Sequence, residues 1–247
     1  MERGDRAPVA TFYALDLTPG DTEVSLGQSA AHHAAVRRLA KGDMIHLTNG
    51  AGVIGVAEIL RLGKRELVAR LEGLDQVPPL PLLEVLVPVA ERDRMLWLAE
   101  KCAEMAVTVW QPVIFSRSRS VVPRGEGEAF AAKVRARMIS ALEQSGGAWL
   151  PEVRRELPLA DALSTIRAPT RYLLDRGGSR VDSGVAQKGV AVAFGPEGGI
   201  VLEEHELLRG SGWRPAGLGP TTLRFETAGI AAVAILRAGT TTVSPEG

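Results

Sequence analysis

Two textures of hydrophobic and polar positions divide this chain of 247 residues. In the first, Val9 to Leu17, Asp43 to Leu47, Val53 to Leu60 and Glu66 to Leu71 are short runs rich in Val, Ile, Leu and Thr. Thr18-Pro19-Gly20, Asn49-Gly50-Ala51-Gly52 and Gly63-Lys64 punctuate them. Such runs between Gly, Pro and Asn clusters predict strands joined by turns, and Asn49-Gly50 is a hairpin signal. With one helix at Ser29 to Leu39, the pattern predicts a small β-barrel or sandwich over residues 1–76.

Val77-Pro78-Pro79-Leu80-Pro81 then breaks both periodicities, because each proline fixes its own φ and removes a donor. Beyond it, over residues 80–247, strand-like and helix-like stretches alternate. Leu82 to Val89, Val109 to Phe115, Arg171 to Leu174, Gly189 to Phe194 and Pro215 to Leu218 read as strands. Asp93 to Val107 is helical, with Met95, Leu98, Ala99, Cys102 and Ala106 on one face. Glu128 to Ser145 follows the same rule through Phe130, Val134, Met138, Ala141 and Leu142, and Leu202 to Gly210 is a shorter helix. Alternation of this kind predicts a mostly parallel α/β sheet covered on both faces.

The most informative segments are two glycine-rich corners, Phe194-Gly195-Pro196-Glu197-Gly198-Gly199 and Leu218-Gly219-Pro220-Thr221-Thr222-Leu223-Arg224-Phe225-Glu226-Thr227. The first closes an apolar run without polar alternation, as a buried parallel strand should. The second opens into the apolar stretch Thr227 to Leu236, which has helix length. Ligands of open α/β sheets bind beyond the carboxyl ends of strands, so two corners close in sequence suggest one site. Neither corner has the lysine and hydroxyl of a P-loop, and no dinucleotide fingerprint is present. Tight turns alone would explain the glycines but not Glu197, Arg224 and Glu226 beside them.

Charge changes the picture locally rather than globally. Lys and Arg total 29 and so do Asp and Glu, which excludes a chain coated in positive charge. Between Phe115 and Arg137, however, six cations (Arg117, Arg119, Arg124, Lys133, Arg135, Arg137) face two anions. Arg37, Arg38 and Lys41 form a second group in the first region. Clusters in both regions suit RNA, whose phosphates supply sequence-independent affinity. The single Cys102 excludes an internal disulfide and fits a reducing compartment. The four histidines have no zinc spacing, so no metal is expected. No signal-peptide pattern and no membrane-length apolar run stands out, so the expectation is a cytoplasmic protein.

At these residues the sequence resembles the RsmE family of 16S rRNA uridine-N3 methyltransferases, of the SPOUT class. The resemblance lies in Gly195-Pro196-Glu197-Gly198-Gly199 with Glu204, and in Leu218-Gly219-Pro220 through Leu223-Arg224 to Glu226-Thr227. Upstream, Glu100-Lys101 to Glu104-Met105-Ala106-Val107 is similar to the family's lysine-containing helix ending in Glu-Leu-Gly-Val. Gln111-Pro112, Ser116-Arg117-Ser118, Glu143-Gln144-Ser145-Gly146, Leu150-Pro151-Glu152 and His32-His33 through Val36-Arg37 extend it over nearly the whole chain.

The resemblance implies an N-terminal PUA-like β-barrel that helps hold RNA and a C-terminal SPOUT domain tied in a trefoil knot. It also implies a homodimer that uses S-adenosyl-L-methionine on 16S rRNA of the small ribosomal subunit. Leu174, Phe194, Gly195, Glu197, Gly198, Gly199, Leu218, Gly219 and Leu223 are then the expected cofactor-binding residues. Arg37, Arg38, Lys101, Arg117 and Arg119 are the expected RNA contacts. Arg224 is expected to polarise a uracil carbonyl or bind phosphate, and Glu226 to remove a proton or position Arg224. A structural ion pair between the two is the competing reading.

Three positions depart from the family pattern. Gly147 and Thr221 stand where arginines are common, with Arg154 and Arg155 as candidate replacements for the first. Val201 stands where a Ser or Asp often caps the next helix, which should therefore start less firmly. A SPOUT enzyme acting on another RNA, and a non-catalytic RNA-binding assembly factor, are the alternative functions.

Overall fold

The computed structural model describes residues 7–118 and 126–240. The chain divides into two compact units: Met1–Pro79 with Ile139–Leu150, and Leu80–Met138 with Pro151–Gly247.

The first unit carries β1 (Thr11–Tyr13), β2 (Glu23–Leu26), α1 (Gln28–Val36), β3 (Met44–Thr48), β4 (Val53–Leu62) and β5 (Leu67–Gln76), in the sheet order β1-β3-β4-β5-β2. β1 runs parallel to β3, and the other pairings are antiparallel. Phe12, Ile45, Leu47, Ile59 and Leu67 are fully enclosed in its core. The Asn49 side chain builds the expected turn, its Oδ1 accepting from the N–H groups of Ala51 (2.8 Å) and Val53 (3.1 Å). α1 stops at Val36, earlier than its apolar pattern suggests. Arg38 takes φ 59°, Leu39 N–H bonds back to Ala34 O and Arg38 N–H to Ala35 O, a Schellman closure.

Residues 139–150 join this unit although the sequence reads them with the second. Glu143 Oε1 accepts from Tyr13 N–H at 2.9 Å, and the Trp149 indole donates to Val77 O at 3.1 Å. Leu150 N–H bonds to Gly50 O, and Gly52 N–H to Ala148 O. Backbone pairing across such sequence distances leaves no periodicity to read.

The second unit contains β6 (Leu83–Pro88), α2 (Arg92–Glu104), β7 (Val109–Ile114), α3 (Glu128–Ser145, whose last residues belong to the first unit), β8 (Glu152–Val153) and β9 (Leu157–Pro158). It continues through α4 (Leu159–Ser164), β10 (Thr170–Arg180), a 3-10 turn at Ser183–Lys188, β11 (Val190–Ala193), α5 (Leu202–Gly210), β12 (Arg214–Gly217) and α6 (Phe225–Ala238). Its sheet order is β12-β10-β11-β6-β7-β8, with β9 also on β7, and every pairing is parallel. β6 and β11 are buried at every position, which accounts for their unbroken apolar sequence. The exception is Glu84, fully buried in β6, whose Oε2 accepts from the N–H groups of Arg167 (2.9 Å) and Ala168 (2.8 Å).

α2 ends in a second Schellman closure with Ala106 at φ 53°, so Ala106 lies beyond the helix rather than on its apolar face. The Arg237 guanidinium holds this turn, donating to Pro81 O (2.8 Å), Met105 O (3.2 Å) and Ala106 O. Burial lowers the pKa of that guanidinium to about 10.

β10 and β12 pair irregularly. Ala216 is matched with both Leu174 and Ser179, so residues 175–178 bow out around it. A Cβ on Gly178 would overlap the Ala216 backbone, which explains glycine at that position.

Candidate active site

The two corners meet where the strand alternation places them, beyond the carboxyl ends of β11 and β12. Phe194, Gly195, Pro196 and Gly199 from the first corner, and Leu218, Gly219, Thr221, Thr222 and Leu223 from the second, line one cavity of ≈ 260 Å³. Gly199, at φ 76°, makes the left-handed turn that ends the first corner, with its N–H on Pro196 O. Leu174, Asp175 and Arg176 close the cavity from the bowed part of β10, and Phe225 and Ala228 from α6. Apolar side chains and glycine backbone make up much of that wall, beside the polar groups of Asp175, Arg176 and His205. That lining suits a nucleoside held by backbone hydrogen bonds and apolar contact.

Of the nine residues expected around a cofactor, seven line the cavity: Leu174, Phe194, Gly195, Gly199, Leu218, Gly219 and Leu223. Glu197 and Gly198 do not. Glu197 Oε1 lies 3.4 Å from Arg94 Nη1, and Gly198 O accepts from Arg117 Nη1 at 3.0 Å. Asp175, Arg176, Ile200 and His205 were not expected at the cavity. Only the bowing of β10 and the packing of α5 bring them there.

Glu204 fixes the first corner from behind. Its buried carboxylate accepts from Ser116 N–H (2.7 Å), Ser116 Oγ–H (2.9 Å) and Val201 N–H (3.1 Å). Val201 has no side-chain acceptor to return the bond, so α5 begins on half of a capping box. The weak start expected from Val201 is thus partly offset.

Arg224 and Glu226 do not pair. Arg224 is the N-cap of α6, exposed, and its side chain has no hydrogen-bond or ion-pair partner among the described residues. Glu226 lies inside the first turn with its side chain 8% exposed, and its Oε1 faces Arg94 Nη1 at 3.8 Å. Glu226 is engaged by Arg94 instead and makes no bond to Arg224, which corrects the expectation that Glu226 holds Arg224. Glu226 Oε2 is buried without a donor among the described residues.

The expected RNA contacts scatter. Arg37 and Arg38 are exposed at the end of α1, with Arg37 Nε donating to His33 Nε2 at 2.9 Å. Lys101 is clamped by Glu100 (2.9 Å) and Glu104 (2.7 Å), whose hydrogen bonds, Glu100 first, raise its pKa. Arg119 lies outside the described residues. Arg154, offered as a substitute for the arginine missing at Gly147, is tied down by Glu152 (2.9 Å) and Thr165 O (3.3 Å). Cys102 is buried in α2, and burial pushes its thiol pKa up, so it is not an activated nucleophile.

The comparisons with known proteins bear on this geometry. The family described as RNA methyltransferase domain matches residues 78–237, and the RNA methyltransferase PUA domain matches residues 26–72. The chain belongs to the RsmE family. The ribosomal RNA small subunit methyltransferase E of Mycobacterium tuberculosis is 30% identical over 95% of this chain and 93% of its own length. A ribosomal RNA small subunit methyltransferase E from Neisseria gonorrhoeae, solved bound to S-adenosyl methionine, superposes with a TM-score of 0.81 at 27% identity, covering 93% of this chain and 97% of that one. A putative methyltransferase from Legionella pneumophila, solved with its bound cofactor SAM, gives 0.78 at 27% identity, covering 92% and 96%. The fold is therefore that of the RsmE family, a PUA-like sheet and a SPOUT parallel sheet. Within the family pattern, Thr221 occupies an arginine position, and here it shares the cavity wall with Arg176. Arg176 is exposed and has no hydrogen-bond or ion-pair partner among the described residues.

Proposed function

We propose that this protein transfers a methyl group from S-adenosyl-L-methionine to N3 of a uridine in 16S rRNA of the small ribosomal subunit, as a cytoplasmic homodimer. The observation that carries this reading is one cavity built from both corners, with Arg224, whose side chain is unpartnered among the described residues, between its lining residues Leu223 and Phe225. The small-subunit rRNA methyltransferases to which the chain is similar, one of them solved with the same cofactor, support it. Phe194, Gly195, Gly199, Leu218, Gly219 and Leu223 would hold the cofactor, with Leu174 from β10. When bound, it supplies a methyl group activated by a positively charged sulfur.

The chain's own task is to hold the base in line with that methyl and to favour loss of the N3 proton. Arg224 suits the second role: a guanidinium donating to a uracil carbonyl stabilises the negative charge that grows as N3 is deprotonated. Arg37, Arg38 and Arg117 are the surface cations that would orient the RNA. The trefoil knot belongs to the same proposal, supported by the likeness of this fold to the Neisseria gonorrhoeae methyltransferase.

Incubation with labelled cofactor and small subunits from a strain lacking the modification tests the reading. Label is expected at uridine N3 in 16S rRNA. Label in tRNA, or none in rRNA, would overturn the substrate assignment, and light scattering on the purified protein tests the dimer.

A further inference from the structure

Arg94 stands at the start of α2, where Glu91 caps the helix by accepting from Asp93 N–H (2.9 Å) and Arg94 N–H (3.2 Å). Its guanidinium gathers three carboxylates: Glu197 at 3.4 Å, Glu91 at 3.7 Å and Glu226 at 3.8 Å. Glu197 belongs to the first corner, and Glu226 to the helix that leaves the second. One side chain from a third element thus links the first corner to the helix that leaves the second. The arrangement also divides the charges in a way the sequence does not suggest. Glu226, two residues from Arg224, is engaged by a cation 132 residues earlier, while Arg224 keeps its donors unused among the described residues.

We propose that Arg94 is a positioning residue of the methyl-transfer site: it neutralises Glu226 and ties it to Glu197, which leaves Arg224 free to face the RNA base. This rests on the reading that the cavity holds the methyl donor and that Arg224 meets the uracil. A largely buried carboxylate needs a cation or hydrogen-bond donors beside it. Without Arg94, Glu226 would have lost its cation, and Arg224, two residues earlier in the chain at the frayable helix start, is unpartnered among the described residues. Turning Arg224 inward would satisfy Glu226 and withdraw the substrate-facing charge.

Turnover and binding by the full-length protein test this with R94M, R94K and R94M/E226Q. R94M is expected to lower kcat by about 10²-fold, as displacement of a catalytic group does, with KM for small subunits little changed. R94K, which keeps the charge but not the fork, should recover part of that loss. R94M/E226Q should be faster than R94M, because the carboxylate that captures Arg224 is gone. Wild-type kcat in R94M, or a double variant no faster than R94M, overturns the proposal, and a rise confined to KM would make Arg94 a direct RNA contact instead. Should R94M not fold, R94K against R94K/E226Q makes the same comparison. Failure of the wild-type protein to bind S-adenosylmethionine or to label rRNA would fault the reading of the site and not the role of Arg94.

Discussion

Glu204 holds Ser116 by two hydrogen bonds to one carboxylate oxygen, from the backbone N–H at 2.7 Å and from the hydroxyl at 2.9 Å. Its other oxygen takes Val201 N–H, so one buried acid joins the end of β7 to the start of α5. Removing it leaves the donors of exposed Ser116 and half-buried Val201 to water, so the cost is that of the charge-assisted bonds themselves. Glu204→Ala is expected to lower unfolding free energy by about 1.5–3 kcal/mol in urea denaturation. Glu204→Gln keeps an acceptor for Ser116 and should cost clearly less. Equal stability of Glu204→Ala and wild type would deny the acid this role.

Ala106 takes φ 53° where the family's Glu-Leu-Gly-Val pattern has glycine. A left-handed alanine costs about 1–2 kcal/mol, while glycine loses about 0.5–1 kcal/mol more chain entropy on folding. Ala106→Gly should therefore stabilise the protein by about 0.5–1 kcal/mol. Thermal unfolding of the two proteins side by side decides it, and a lower Tm for the glycine variant would contradict the argument.

Lys101 is held by Glu100 and Glu104, and its pKa is raised. A base whose folded pKa exceeds its unfolded one contributes stability below the unfolded value and loses it as pH rises through the folded one. The Tm difference between wild type and Lys101→Met should therefore hold through neutral pH and shrink only above about pH 10.5. Because the charge is already paired, KM for small subunits should change little. A large KM increase with unchanged Tm would instead identify Lys101 as an RNA contact.

Arg224→Ala removes an exposed side chain that makes no internal bond among the described residues, so stability should hold. Turnover should fall by about 10²-fold, the usual loss for one donor to a developing oxyanion. Affinity for S-adenosylmethionine should stay near wild type in calorimetry. Loss of cofactor binding, with kcat intact, would move Arg224 from the base to the methyl donor.

The parts of this molecule visible in its sequence are those set by local pattern. β11 announces itself by an unbroken apolar run and β6 by one broken only at Glu84, and the stripe Phe130, Val134, Met138, Ala141 and Leu142 is buried as its spacing requires. The corners stand out because glycines follow a buried strand. β2, α4 and the turn at Ser183–Lys188 are short and carry little periodicity, so they were missed. Proximity along the chain misled in one place, since Arg224 and Glu226 straddle a helix start and make no bond to each other. Arg94 and Arg176 had no signal at all. Their importance comes from the 3.4–3.8 Å approach of α2 to two distant carboxylates and from the bow in β10.

The double pairing of Ala216 fixes the order in which the pocket is completed. Residues 174–179 leave the ribosome before 214–217, so the segment that bows is made before the strand it bows around. The second corner follows that strand directly, and α6 follows the corner. A chain interrupted before β12 would retain the buried pair β6 and β11 and the first corner, yet lack half of the cavity wall. Competence to bind a methyl donor is thus a property of the finished polypeptide, acquired when its last strand is seated.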